Sequence, residues 1–127
     1  MSFSIVITTY NRVELLKRAI QSAFDQTVAC EVVVVDNAST DGTQEYLATL
    51  GDRIISVRNE TNTRHAGGVD AGVDAASGEW IKLVDDDDYL AANCIEVMMG
   101  AIALRPTAVI CSCQAAQVDT EGKELSR

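Results

Sequence analysis

Short apolar runs rich in β-branched residues alternate along this chain with longer stretches of helical periodicity. Phe3 to Thr8 (FSIVIT) is the first run, and it stops at the polar Thr9-Tyr10-Asn11-Arg12. From Val13 to Phe24, Leu15, Leu16, Ala19, Ile20, Ala23 and Phe24 share one helical stripe, with Asn11 placed to cap it. Glu31 to Val35 (EVVVV) reads as a strand covered on both faces. Ser39-Thr40-Asp41-Gly42 offers caps for a second helix running to about Leu50, and Arg53 to Val57 reads as a third strand. A glycine-rich stretch, Arg64 to Gly72, is expected to lead as a loop into a short helix ending near Ser77-Gly78. Glu79 to Val84 is a fourth strand that runs into Asp85-Asp86-Asp87-Asp88. Ala91 to Leu104 is helical, stopped by Arg105-Pro106, and Thr107 to Cys113 predicts a fifth strand.

This alternation predicts an α/β fold with right-handed crossovers and a mainly parallel sheet carrying helices on both faces. Ligands of such sheets sit at the carboxyl ends of the strands. Four polar segments leave those ends: Thr8–Arg12, Asp36–Gly42, Arg58–Gly72 and Asp85–Asp88. Residues 1–113 are expected to form the domain, and residues 114–127 a hairpin remnant or tail.

Composition narrows the partners. The formal net charge of −9 argues against nucleic acid, whose phosphates require clustered Lys and Arg. No apolar run approaches the roughly 18–20 residues that span a bilayer, and the N-terminus lacks the basic region of a signal peptide. Cys30, Cys94, Cys111 and Cys113 lack paired CxxC spacing and read as small buried hydrophobes in a reducing cytoplasm.

The aspartate run is the strongest chemical signal. It follows a buried strand, and in extended backbone Asp85 and Asp87 point one way while Asp86 and Asp88 point the other. Two carboxylates in this spacing can hold a hard cation, Mn²⁺ or Mg²⁺, that retains open positions for phosphate oxygens. A solvated acidic turn before the next helix is the alternative. Asp36 and Asn37, straight after a strand, can accept hydrogen bonds from a base or ribose. Placing Asn37, Ser39 and Asp41 on a calcium loop puts Ala48 where a bidentate Glu belongs, which rejects that motif. The first turn has no glycine, which argues against a dinucleotide oxidoreductase. His65 is the only histidine and reads as a loop residue.

Four ordered segments resemble the family 2 glycosyltransferases, inverting enzymes of GT-A fold. They are Ser4–Arg12, Val33–Thr43, Asn62–Gly72, and Ala76–Ile81 followed by Leu83–Asp88. The resemblance implies a Rossmann-like GT-A domain that binds a nucleoside diphosphate sugar, UDP- or dTDP-linked. It implies that Thr9, Tyr10 and Arg12 pack around the nucleotide, that Asp36 and Asn37 recognise the base, and that Asp86 contacts the ribose. Asp87 is then the metal ligand, with Asp85 completing the acidic motif. Asn37 stands where the family often has Asp, and the glycine loop lacks the usual arginine unless Arg64 or Arg12 replaces it. Asp36-Asn37-Ala38 with Ala66-Gly67-Gly68 looks more like the rhamnosyl- and galactofuranosyl-transferase-like branch.

The implied reaction is metal-assisted transfer of a sugar, with inversion, to the hydroxyl of an acceptor saccharide or lipid-linked saccharide. In this family the general base lies well downstream of the aspartate run. Asp119, Glu121 and Glu124 match it by type but sit in the polar tail. The chain therefore reads as the donor-binding half, and a nucleotide-binding fragment without catalysis of its own is the main alternative. Apolar surface near Val109-Ile110-Cys111 and on the helix carrying Ile95, Val97 and Met98 leads to the expectation of a homodimer. A nucleotidyltransferase and an interaction domain with an idle acidic loop are the other rivals.

Overall fold

A computed structural model describes residues 1–127. Its elements are β1 (Phe3–Thr9), α1 (Val13–Phe24), β2 (Glu31–Asp36), α2 (Thr43–Leu50), a 3₁₀ turn (Gly51–Arg53), β3 (Ile55–Arg58), α3 (Arg64–Ala75), β4 (Trp80–Asp85), α4 (Cys94–Ala103), β5 (Gln117–Val118) and β6 (Glu124–Ser126). The four longer strands form one sheet in the order β3-β2-β1-β4, and every pairing is parallel. The order reverses between β1 and β4, which opens a crevice at their carboxyl ends.

All seven residues of β1 are buried, as befits a central strand. Alternation splits its side chains between two layers. Phe3, Ile5 and Ile7 join Val32 and Val34 in packing against Leu16, Ala19, Ile20 and Ala23 of α1 and Ile95, Met98 and Ile102 of α4. Val6, Val33 and Val35 face the other way, toward Ala71 and Ala75 of α3. Each large aliphatic side chain so enclosed contributes roughly 1.5–3 kcal/mol. No helix is long and apolar enough to cross a membrane.

Two expectations change here. The glycine-rich stretch is not a loop before a helix; it is α3 itself, beginning at Arg64. Its glycines serve packing. A Cβ on Gly68 would meet Thr8 Cγ2 at 3.4 Å, and one on Gly72 would overlap Val6 and lie 3.0 Å from Val35. Removing side chains from one stripe lets the helix lie close on the sheet, and that requirement outweighs the poor helix propensity of glycine. The fifth strand does not form. Thr107 to Cys113 is irregular, with Val109 86% and Ile110 83% exposed. An apolar β-branched run becomes a strand only where an edge receives it; this one leaves α4 through turns at Arg105 and Ala108 and folds beside the end of α4 instead.

Other details differ on a smaller scale. Ile95 and Met98 are core residues, so Val97, Val109 and Ile110 carry the exposed apolar surface. The four cysteines are free thiols, none fully buried, and Cys113 is exposed. Residues 117–126 form a two-stranded antiparallel hairpin.

The amino end of the sheet is tied by Glu31. Its carboxylate accepts from Ser4 Oγ at 2.7 Å, from Ser77 N at 2.8 Å and from the Ser77 hydroxyl, while Ser4 Oγ accepts from Gly78 N at 2.8 Å. The Ser77 hydroxyl, then its amide, hold the Glu31 carboxyl below the usual range.

Gly72→Ala will cost about 1–3 kcal/mol through overpacking against Val6. Gly100→Ala, whose added methyl meets nothing within 4 Å, will stabilise by up to about 1 kcal/mol. Urea midpoints of the two variants should therefore move in opposite directions. For Glu31, a depressed folded-state pKa stabilises above the unfolded value, and the effect is lost as pH falls through the folded one. Glu31→Gln will thus lower the urea midpoint at neutral pH, and the gap to the parent will close in acid. A gap independent of pH would mean that the charge is not its source.

Candidate active site

The carboxyl edge of the sheet gathers all four polar segments, and side-chain hydrogen bonds lace them together. Asn11 adopts φ 52°, with its amide donating to Ser39 Oγ at 2.9 Å and its side-chain oxygen accepting from Thr40 N at 2.7 Å. Asn11 does not cap α1. The carboxylate of Asp41 takes that part, accepting from Val13 N at 3.0 Å while also holding Thr43 N and Oγ1 at the start of α2. One acid thus meets the positive ends of two helices. The Thr43 hydroxyl leads the contacts that draw the Asp41 carboxyl below its ordinary range.

Asp36 is fully buried beneath the edge. Its oxygens accept from Ser39 N at 2.9 Å, from Arg58 at 2.8 Å and from the Gln44 amide. It therefore braces the second loop and does not line the cleft. Asn37 does line it, but its amide is also engaged. Its oxygen accepts from Asn59 at 3.2 Å and from Thr63 N and Oγ1 at 3.0 Å, and its nitrogen donates to Asn62 at 2.7 Å and to the Arg64 carbonyl at 3.1 Å. Asn37 organises the approach to α3, and the oxygen expected to accept from a base is occupied from within the protein.

The acidic run does not stay extended beyond Asp85. Asp88 N donates to the Asp85 carbonyl at 3.1 Å, closing a turn. Asp86 points inward, accepting from Thr9 Oγ1 at 2.9 Å and lying 3.4 Å from Arg12 Nη1. Burial pushes its carboxyl up, against the opposing pull of the Thr9 hydroxyl and Arg12. Because of the turn, Asp88 joins Asp85 and Asp87 and does not side with Asp86. One oxygen from each of the three lies within 4.8 Å of the others, all in exposed positions. Asp88 is raised by partial desolvation, then by the charges of Asp87 and Asp85. This oxygen-only set fits a hard divalent cation. Arg12 Nη1 stands 3.3 Å from Asp87 Oδ2, so a protein cation already offsets part of that charge.

The edge encloses a cleft of ≈ 460 Å³ in which only one of eleven lining residues is hydrophobic, which suits a polar ligand. Thr9, Tyr10, Arg12, Asn37, Asp85, Asp86 and Asp87 line it, together with Thr8, Asn62, Arg64 and His65. The sequence gives Asn62 and His65 no place in the site, because glycine-rich composition points to a loop where α3 begins. The Asn62-Thr63 pair before a periodic stretch was the available sign of a helix start. His65 Nδ1 lies 3.6 Å from Asp85 Oδ1. None of Asp119, Glu121 and Glu124 reaches the cleft; Asp119 receives the amides of its own turn and Glu124 pairs with Arg127.

A polar cleft at the switch point of a parallel sheet, walled by carboxylates and guanidinium groups, defines a Rossmann-like domain whose edge is suited to a polar ligand. The chain belongs to Glycosyl transferase family 2, which it matches over residues 4–127. It is 39% identical over 98 residues to the succinoglycan biosynthesis protein ExoO of Rhizobium meliloti, covering 76% of this chain and 28% of that protein. It is 34% identical over 101 residues to the GalNAc(5)-diNAcBac-PP-undecaprenol beta-1,3-glucosyltransferase of Campylobacter jejuni, covering 76% and 33%. The structure of S. aureus TarS 1-349 in complex with UDP-GlcNAc superposes with a TM-score of 0.77 and 27% identity over 84% of this chain and 32% of that one. The GT-A architecture is shared, and the chain spans about a third of the length of these relatives.

Asn37→Ala will leave Thr63 N without its partner and remove the contacts of the Asn37 amide with Asn62 and the Arg64 carbonyl. We expect faster amide exchange at Thr63 and a stability loss of about 1–3 kcal/mol. Unchanged exchange at Thr63 would remove Asn37 from this organising role.

Proposed function

We propose that this domain binds the donor of a glycosyl transfer, a nucleoside diphosphate sugar, from which the sugar passes to an acceptor hydroxyl with inversion at the anomeric carbon. The observation that carries the reading is the polar cleft, with Asp85 and Asp87 on one wall, Asp88 clustered beside them, and Arg12 and Arg64 among its lining. Uridine or thymidine diphosphate is the favoured donor class. That choice leans on the UDP-GlcNAc complex of TarS, since Asp36 and the Asn37 oxygen are engaged within the protein. A saccharide acceptor, free or lipid-linked, is supported by the glucosyltransferase relative that carries an undecaprenol-linked acceptor in its name.

Asp85 and Asp87, with Asp88 beside them, would hold Mn²⁺ or Mg²⁺, which when bound supplies positive charge to the departing diphosphate. Arg12, already balancing Asp86 and Asp87, keeps the acidic turn compact before the donor arrives. Arg64 makes no side-chain hydrogen bond or ion pair and is free to meet phosphate oxygens. Thr9 fixes Asp86 at the back of the cleft, in position to accept from a ribose hydroxyl.

A nucleotide-binding module without transfer is the second reading, favoured by the absence of Asp119, Glu121 and Glu124 from the cleft. Exposed Val97, Val109 and Ile110 give either form a surface for pairing with a second copy. Calorimetric titration with UDP, dTDP, GDP and ADP, with and without Mn²⁺, tests the donor. UDP or dTDP should bind best, about tenfold more tightly with Mn²⁺, and Asp87→Asn should abolish the metal effect. A purine nucleotide binding more tightly, or a metal effect that survives Asp87→Asn, would refute the assignment.

A further inference from the structure

Arg18 lies on α1, outside the cleft, yet it joins three parts of the chain that are distant in sequence. One guanidinium nitrogen, Nη2, donates to the Asp87 carbonyl at 3.5 Å, and Nη1 donates to the Thr120 carbonyl at 3.4 Å. The guanidinium carbon stands 4.5 Å from the centre of the Tyr89 ring. Its Nε is buried without a hydrogen-bond partner, a cost that the contacts of the fork and the ring must offset. Tyr89 in turn meets the hairpin: a Cβ on Gly122, whose φ is +85°, would lie 3.3 Å from the Tyr89 hydroxyl. The hairpin turn is ordered by Asp119, whose side chain accepts from the Glu121 and Lys123 amides at 2.9 Å.

The acidic turn therefore has a second support, independent of Arg12. The Asp87 carbonyl belongs to the peptide linking Asp87 to Asp88, so fixing it constrains both carboxylates relative to Asp85. Arg18 cannot hold that carbonyl and Thr120 together unless the hairpin is docked. We propose that Arg18 is a positioning residue that makes docking of the 117–126 hairpin and the geometry of Asp85, Asp87 and Asp88 a single unit. The hairpin thereby sets the affinity of the acidic turn for a divalent cation. The affinity part rests on the proposed cation site; the coupling itself does not.

Binding free energies linked in this way are reciprocal, so a cation on the acidic turn must tighten the hairpin as much as the hairpin tightens the cation. Arg18→Met removes the fork, whereas Gly122→Ala disturbs docking from the far side and leaves Arg18 in place. Free Mn²⁺ followed by electron paramagnetic resonance should show about tenfold weaker binding in either variant, and the double variant should be no weaker than the singles. Amide exchange should show Mn²⁺ protecting Gly122 and Lys123 in the parent but not in Arg18→Met. In metal-free protein, Arg18→Met should speed exchange at Asp88 as well as at Gly122 and Lys123. Parent-like Mn²⁺ affinity in both variants, or faster exchange confined to the hairpin, would overturn the proposal. If the parent itself binds no Mn²⁺, the cation site fails, and metal-free exchange at Asp88 still decides the coupling.

Discussion

The carboxylate of Asp36 sits at the carboxyl end of β2 with no exposure to solvent, and a buried charge persists only when its oxygens are filled. Arg58 from the end of β3, Gln44 from α2 and the Ser39 amide fill them. These contacts bind β2, β3 and α2 into one support. From Ser39 the order passes to Asn11, and through Asp41 to the start of α1. The loops of the site are thus rigid because each completes the hydrogen bonding of another, and little of their order depends on apolar packing. Removing one partner would leave a buried polar group unpaired, which costs more than the bond contributes when made.

On this support the cleft separates its charges by depth. Asp86 is drawn inward and held by Thr9 and Arg12, while Asp85, Asp87 and Asp88 crowd together at the surface. Three neighbouring carboxylates repel one another, and Asp88 is pushed up first by partial desolvation and then by the charges of Asp87 and Asp85. Arg12 relieves it at Asp87. A divalent cation would relieve it further and leave Arg12 free for a diphosphate, which is the physical sense in which this arrangement suits a nucleotide-sugar donor.

The sheet does its part by keeping the strand ends in register. Thr9 pairs with Asp36, and Thr8 with Asp85, so the first residues of three segments emerge side by side. α3 can begin close to this edge only because Gly68 and Gly72 let it settle onto Thr8, Val6 and Val35. Its first residues, Arg64 and His65, reach the cleft as a result. A helix with side chains at both glycines would be displaced outward, along with the groups at its start.

How much of this could be read from the residues alone varied with the physics involved. Period-two and period-3.6 patterns located β1, β2, β4, α1, α2 and α4 to within a few residues, because burial on a strand or helix face is a local demand on sequence. The order of motifs pointed to the family, and the placement of Thr9, Tyr10, Arg12, Asn37, Asp85, Asp86 and Asp87 at one edge followed from strand ends in a parallel sheet. Local pattern misled where the deciding partner lay far along the chain. Glycines at Gly67, Gly68 and Gly72 suggest a loop by propensity, yet they lie within α3, where Gly68 settles against Thr8 and Gly72 against Val6 and Val35. Val109-Ile110-Cys111 suggests a strand, but no sheet edge receives it. Asp36 has the same sequence whether it faces a ligand or Arg58; tertiary structure chose Arg58, because the buried carboxylate required a donor from β3.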